Sequence, residues 1–358
     1  MKKPKILFLN PAVSPYRIGF YDKLSKICNV KYLFYFKDCK IYNEMRNWNY
    51  EILSGEYKVP GYGRGFTPSL AKRLYNEDYD IVVNSDPCSF AAHIAFPIAR
   101  HRKKKFVTWS ELWKYPNHWT AQLIKPYVKM IIYESDICIA AGTKAKELLE
   151  RFGAKKIAIA PTASFDVMKQ KNYQVKLPKK YILSVGSIRP ADGVLNLISA
   201  FYEVRKKHKA LHLVLVGKPT DKAYYKECRK KADASVHFIG QVDWDKLRPY
   251  YENCLCCVSS GQPVEGIDPY ASWEMSLNEA MSASKPVIST DIVGGAFDLI
   301  HHGKNGYIVS TEETANLTDA INKVLKFKGL CPYSRKLIDK TFNHKNMARK
   351  FKEALDEI

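Results

Sequence analysis

No segment of this 358-residue chain approaches the roughly 18–20 consecutive apolar residues needed to cross a bilayer, so membrane contact is expected to be peripheral at most. Nine cysteines are present, and a Cys-x-x-Cys spacing occurs once, at Cys254 and Cys257. Cys254, Cys256 and Cys257 fall in an apolar run that reads as a buried strand, which excludes a disulfide scaffold and fits a reduced, cytosolic protein. The His-Glu-x-x-His pattern, a Walker sequence and a Gly-x-Ser-x-Gly elbow are all missing. No repeat of solenoid length and no low-complexity tract appears. Acidic residues are scarce: 36 Asp and Glu stand against 57 Lys and Arg, a formal charge of +21. That excess suits an anionic partner such as nucleotide phosphates or an anionic lipid surface. Without a basic-aromatic recognition motif, nucleic acid is not expected.

What is present is alternation. MKKPKILFLNP reads as a first strand and not as a signal peptide, because its apolar run ends at Asn10-Pro11. Strand runs are expected at Lys5–Leu9, Val30–Phe36, Asp80–Asn84, Lys105–Trp109, Asp136–Ala140 and Ile157–Ala160, with helices between them. Thr67 followed by Pro68 predicts a helix start with Thr67 as its cap. Residues 171–180 are polar and lysine-rich and predict a linker. A second array follows, with strands ending at Gly186, Gly217 and Gly240; glycine at a strand end lets a ligand approach the backbone closely. Asp243 is expected to cap a helix running to Glu252. The pattern predicts an α/β protein with parallel sheets covered by helices. Its expected divisions are residues 1–170, a linker at 171–180, residues 181–340, and a C-terminal helix at 341–358 packing back toward the first domain.

The richest stretch is WEMSLNEAMSASKPVISTDIVGGAFDLIHHGKNGYIV, Trp273–Val309. It reads as helix, strand, glycine turn, helix, strand. It resembles the signature of the large family-4 glycosyltransferases, in which a helix ending in Asn-Glu-Ala-Met precedes Pro-Val-Ile and a Gly-Gly turn. The resemblance implies the GT-B fold: two Rossmann-like domains with parallel sheets facing a central cleft. It implies donor-binding roles for Gly186, Ser187, Arg189, Lys218, Gly240, Gln241, Val242, Trp273, Asn278, Glu279, Thr290, Gly294 and Gly295.

Three departures from that signature stand out. The family neutralises the donor diphosphate with an Arg and a Lys, and this chain has Ser187 and Asp192 there. Arg189 and Lys218 are the cations able to substitute. The family also carries two glutamates eight positions apart, the later one taking the ribose and the earlier one the donor sugar. Glu279 fits the later place, but the earlier falls on Ala271. Glu274, or Glu265 and Asp268 in the preceding loop, are the carboxylates able to replace it. Glu274 is placed on the same helix as Glu279, on a different face. The backbone N–H groups of Gly294 and Gly295 at a helix start are expected to attract phosphate.

The first half is less explicit. Tyr16 and Arg17 lie in the first strand-to-helix loop and are expected to meet the acceptor. Asp86 and Glu111 follow strands at their carboxyl ends, and His118 is the nearest imidazole; with Glu274 these are the candidate catalytic residues. Trp119, Leu123, Tyr127 and Ile131 recur every four residues along a lysine-bearing helix, which suggests either core packing or contact with an anionic membrane. Asp78-Tyr79-Asp80 and Asp243-Trp244-Asp245 match an Asp-x-Asp spacing but precede a strand and cap a helix, so no metal is expected. Gly61-Tyr62-Gly63-Arg64-Gly65 lacks the strand-then-helix context of a dinucleotide fingerprint.

The expected activity is retaining transfer of a sugar from a nucleotide-sugar, UDP- or GDP-linked, to a glycan or lipid-linked acceptor. No cofactor is expected, and the location is expected to be cytoplasmic, at the inner face of the membrane. Two other readings stay open: a nucleotide-sugar epimerase or other enzyme with an atypical donor, and a catalytically silent binding subunit.

Overall fold

The computed structural model describes residues 3–36, 39–53, 57–58, 65–264, 271–311 and 313–358. The chain divides into two compact units, residues 1–163 with 344–358, and residues 164–343. The division lies ahead of the 171–180 stretch read as a linker. Val167 sits in the second unit's core, and Asp166 is held there by Arg335.

The first unit runs β1 (Lys5–Asn10), α1 (Ile18–Ile27), β2 (Asn29–Phe34), β3 (Asn49–Ile52), α2 (Ser69–Asn76), β4 (Ile81–Asn84), α3 (Phe90–His101), β5 (Lys105–Ser110), α4 (Trp119–Glu134), β6 (Ile137–Ala140), α5 (Thr143–Arg151) and β7 (Ile157–Ile159). Its seven strands are all parallel, in the order β3-β2-β1-β4-β5-β6-β7. β1, β4 and β6 are buried almost throughout, as their unbroken apolar runs require when helices cover both faces of a sheet. Tyr57–Lys58 and Gly65–Phe66 form a separate antiparallel pair.

The second unit runs β8 (Tyr181–Val185), α6 (Val194–Lys207), β9 (His212–Val216), α7 (Lys222–Lys231), β10 (Val236–Gly240), α8 (Arg248–Asn253), β11 (Cys256–Ser259), α9 (Met275–Ser282), β12 (Val287–Thr290), α10 (Ala296–Leu299), β13 (Gly306–Val309), α11 (Thr314–Leu325) and α12 (Pro332–Lys340). Its six strands are parallel in the order β10-β9-β8-β11-β12-β13. Both orders reverse direction beside the unit's first strand, the doubly wound Rossmann arrangement. The last helix, α13 (His344–Asp356), belongs to the first unit. Its Phe351 packs on Phe8, Phe20 and Trp109 at ring separations of 5.4–5.6 Å.

Three local readings are corrected. Thr67 does not cap α2: its hydroxyl donates to the Tyr35 carbonyl, and Pro68 takes the cap position. The single helix expected after Asp243 is a 3-10 turn, Trp244–Lys246, followed by α8; Pro249 in the first turn of α8 starts it anew. Glu274 is not within α9 but immediately ahead of it, in an extended conformation. Among the described residues, no helix is long and apolar enough to cross a membrane.

Candidate functional site

In an open α/β sheet the loops at the reversal point diverge and leave a crevice at the carboxyl ends of the strands. In the second unit that point lies between β8 and β11. A cavity of about 110 Å³ opens there, lined by Gly186, Ser187, Arg189 and Asp192 after β8, and by Ser260 and Gly261 after β11. Ala271 and Glu274 close it from the α9 side.

The two loops are stitched together. Ser260 Oγ donates to the Asp192 carbonyl at 2.9 Å, and Gln262 Nε2 to the Pro190 carbonyl at 2.8 Å. The Gly193 α-carbon comes so close to this seam that an added Cβ would sit 1.9 Å from the Ser260 carbonyl oxygen, and its φ is +64°. Only glycine meets both demands.

Ser187 and Asp192, the residues expected at the places of the family's cations, bond to each other. Ser187 Oγ donates to Asp192 Oδ2 at 2.8 Å, and Arg189 Nε reaches the same oxygen at 3.3 Å. Burial pushes the Asp192 carboxyl above the usual carboxylate range, partly offset by Ser187 and Arg189. Arg189 is thus the cation on this loop. Lys218 is exposed and does not line the cavity; only its carbonyl is used, accepting from Ile188 N.

Glu274 is the distinctive group. Its carboxylate faces the cavity and has no hydrogen-bond or ion-pair partner among the described residues. Burial, with Asp192 and Glu279 nearby and Arg189 only partly compensating, raises its pKa from 4.5 to about 7. Ala271, expected at the place of the family's first glutamate, lines the same cavity. Glu265 and Asp268 lie outside the described residues.

Glu279 is arranged differently. It is buried, and both oxygens are engaged: Ser164 Oγ donates to one at 2.9 Å and Tyr251 OH to the other at 2.7 Å. Burial raises its pKa, and these two donors pull it back. It does not line the cavity.

Trp273 and Asn278 form a structural pair, Nε1 donating to Asn278 Oδ1 at 2.6 Å. The indole lies on Gly295, where a Cβ would meet it at 2.4 Å. The phosphate-attracting role expected for Gly294 and Gly295 is corrected. Their N–H groups already donate to the carbonyls of Ala271 and Ser272, at 2.9 and 3.0 Å. Thr290 is buried and donates to the Gly261 carbonyl at 2.8 Å, bracing the cavity from behind.

The glycine rhythm also has a structural cause. A Cβ on Gly217 would fall 1.6 Å from the Gly186 carbonyl oxygen, and Gly217 N donates to the Gly240 carbonyl at 2.8 Å. These strand ends need glycine to approach one another. Gln241 is exposed, and Val242 is half-buried against the core.

In the first unit, Arg17 and Glu111 hold each other. Arg17 Nη2 lies 2.5 Å from Glu111 Oε2, with its guanidinium 4.4 Å from the Trp109 ring centroid. Thr162 Oγ1 donates to the other Glu111 oxygen at 3.1 Å. Burial disfavours the Arg17 charge, and Glu111 more than offsets this, so Arg17 stays protonated. Arg17 and Glu111, expected in acceptor-binding and catalytic roles, are thus tied to each other, with Thr162 on the second Glu111 oxygen. Tyr16 is half-buried, and its carbonyl accepts from His344 Nε2 at 2.7 Å. Asp86 shapes the turn before α3, Oδ1 accepting from Cys88 N at 2.9 Å. His118 is exposed and caps α4, with Nδ1 accepting from Ala121 N at 3.2 Å. Its placement is that of a helix cap, not of a group gathered with Glu111.

Residues 168–353, just over half of the chain, match the family described as glycosyl transferases group 1, and the chain belongs to that family. It is 25% identical over 193 residues to an uncharacterized glycosyltransferase of Haemophilus influenzae, covering 52% of this chain and 51% of that one. It is 23% identical over 227 residues to the lipopolysaccharide 1,2-N-acetylglucosaminetransferase of Salmonella typhimurium, covering 58% of each. The chain spans about half the length of the curated relatives it matches. Its fold is similar over 99% of its length to that of Anabaena HepE solved in complex with UDP, covering 100% of that chain with a TM-score of 0.78 at 17% identity. Two Rossmann-like units with seven- and six-stranded parallel sheets make this the GT-B fold.

Asp192 and the Ser259-Ser260-Gly261 turn were not assigned roles from sequence. The turn carries a local signal, small residues directly after the buried CCVS strand. The partners of Glu279 carry none, since Ser164 and Tyr251 lie 115 and 28 residues away.

Proposed function

We propose that this protein is a retaining glycosyltransferase of the family-4 kind. It would transfer a hexosyl group from a UDP- or GDP-sugar to a glycan or lipid-linked acceptor, in the making of a cell-surface polysaccharide or glycoconjugate. The observation that carries the reading is the cavity at the reversal point of the second sheet, lined by the Glu274 carboxylate, which has no partner among the described residues. Membership of the group 1 family supports it, as does the fold shared with HepE, which has been solved with UDP and with UDP-glucose.

In this reading Arg189 meets the donor diphosphate, exchanging Asp192 for phosphate oxygens. Glu274 accepts hydrogen bonds from the donor sugar's hydroxyls, doing the work of the carboxylate missing at Ala271. Glu279 takes the ribose with the lone pairs left after Ser164 and Tyr251. No protein nucleophile and no metal is invoked; the leaving phosphate oxygen accepts the acceptor's proton. Fixed donors on that phosphate supply most of the rate enhancement. The acceptor is assigned to the first unit, with Tyr16 and Asp86 as its polar contacts. The setting would be the cytoplasmic face of a membrane.

A thermal-shift screen of UDP-, GDP-, ADP- and CMP-sugars tests this. One donor should stabilise the fold by about 2.7 kcal/mol at a hundredfold excess over its dissociation constant. Transfer should then proceed in EDTA, with the anomeric configuration kept in the product. No shift from any donor would overturn the reading.

The Ser187–Asp192 pair favours a second reading, because it removes both diphosphate cations. Sugar isomerisation without acceptor would mark a nucleotide-sugar epimerase. Donor binding without any turnover would mark a catalytically silent subunit.

A further inference from the structure

The exposed face of α4 is apolar in a way that four-residue spacing misses. Each residue turns an α-helix by about 100°, so twelve residues carry Ile131 about 120° around from Trp119. Ile131 is accordingly buried, and Tyr127 is half-buried with its hydroxyl donating to the His93 carbonyl. Alternating steps of four and three residues keep one face outward: Trp119, Leu123, Pro126, Met130 and Tyr133. All five are exposed, Trp119 at 76% and Leu123 at 73%. Five large apolar side chains in one outward stripe are unusual for a surface helix of a soluble unit.

The charges beside the stripe are cations lying on aromatic rings. Lys129 Nζ sits 5.4 Å from the Phe152 centroid, Lys125 Nζ 5.4 Å from that of Tyr115, and Lys155 Nζ 3.9 Å from that of Tyr133, itself in the stripe. Glu134 is the single acid on the helix, and Lys155 approaches it at 3.5 Å.

We infer that α4 docks the first unit on an anionic phospholipid surface. Trp119, Leu123, Met130 and Tyr133 would enter the headgroup–acyl boundary, with Lys125, Lys129 and Lys155 on lipid phosphates. The apolar stripe supplies partitioning, and the flanking lysines supply selection for negative lipid. Long lysine side chains reach the headgroups while their stems lie along the apolar strip. The inference does not depend on the donor reading, and its readout uses no donor.

The test is flotation of the full-length chain with vesicles of phosphatidylcholine, alone or mixed with phosphatidylglycerol. Binding is expected only with the anionic lipid and should weaken with added salt. The variant carrying Trp119→Ser and Leu123→Ser should lose about tenfold or more of its partitioning, the worth of a large side chain's burial. Lys125→Gln with Lys129→Gln should lose the preference for anionic lipid. Trp119, Leu123 and Lys129 are exposed and Lys125 is half-buried, none of them in the core, so circular dichroism and thermal unfolding should match the parent and exclude misfolding. Equal partitioning of parent and Trp119/Leu123 variant would overturn the proposal, as would indifference to lipid charge. So would a parent that never floats and instead forms a dimer, by light scattering, that the Trp119/Leu123 variant abolishes.

Discussion

Two carboxylates sit at comparable edges of the two sheets and meet opposite fates. Glu111, after β5, is held by Arg17 and Thr162. Glu274, ahead of α9, opens into a cavity and bonds to nothing among the described residues. A buried charge with its partners in place belongs to the scaffold; one without partners costs stability and is kept where it meets a ligand. Glu279 lies between the two cases: Ser164 and Tyr251 each donate to one of its oxygens, and the lone pairs that remain are the ones assigned to the ribose. Position at a strand's carboxyl edge is therefore not enough to mark a functional acid.

The comparison breaks most visibly at Arg17. Arg17→Ala leaves the half-buried Glu111 without its cation and should cost about 3 kcal/mol, the low end for a buried pair. Urea unfolding checks this, and Arg17→Met combined with Glu111→Leu should recover much of the loss. A small effect of the single change would place the pair among ordinary surface bridges.

Glu274→Gln should act in the other direction. The wild-type carboxyl has a folded pKa near 7 against 4.5 ordinarily. Between those values the unfolded chain has released the proton and the folded chain has kept it. Wild-type stability therefore falls as pH rises through this window, by up to about 3 kcal/mol, and levels off above 7. The glutamine variant lacks this loss, so the two stability curves should diverge between pH 4.5 and 7. Parallel curves would mean that Glu274 is satisfied after all.

Tyr251→Phe sharpens the contrast within the second unit. It removes one of the two donors to Glu279 and should destabilise by about 1–3 kcal/mol, read as a drop in the urea midpoint. The smallest effect is expected at His118. His118→Ala removes a helix cap worth about 1 kcal/mol, and His118→Asn should restore it. Neither change should alter transfer rates, whereas a catalytic imidazole would lose them in both.

Much of the fold was legible because it rests on local patterns. Apolar runs such as ILFLN and YILSV can only be buried strands, and their alternation with helical periods dictates parallel sheets. β3 was missed, since NYEI is polar and only partly buried at the sheet edge. α12 was missed as well; its start is marked only by Pro332.

The site was legible in outline and not in detail. Ser187, Asp192 and Ala271 stand out in the sequence against the resembled signature, but that Ser187 bonds to Asp192 is a property of the folded loop. Nothing near Glu279 in the chain foretells Ser164 and Tyr251. The Gly294-Gly295 amides read as open, yet they are taken by Ala271 and Ser272 carbonyls from across the fold. Spacing locates side chains along an element; which of them stay unsatisfied is decided by partners distant in sequence.

The most direct test of the cavity assignment is calorimetric titration of the best nucleotide-sugar into wild type and Glu274→Gln, below and above pH 7. An ionised Glu274 is the stronger acceptor for the donor sugar's hydroxyls. Wild-type affinity should therefore rise with pH through 7, while the glutamine variant holds one affinity across the range. Identical pH profiles for the two proteins would contradict the placement of the donor beside Glu274.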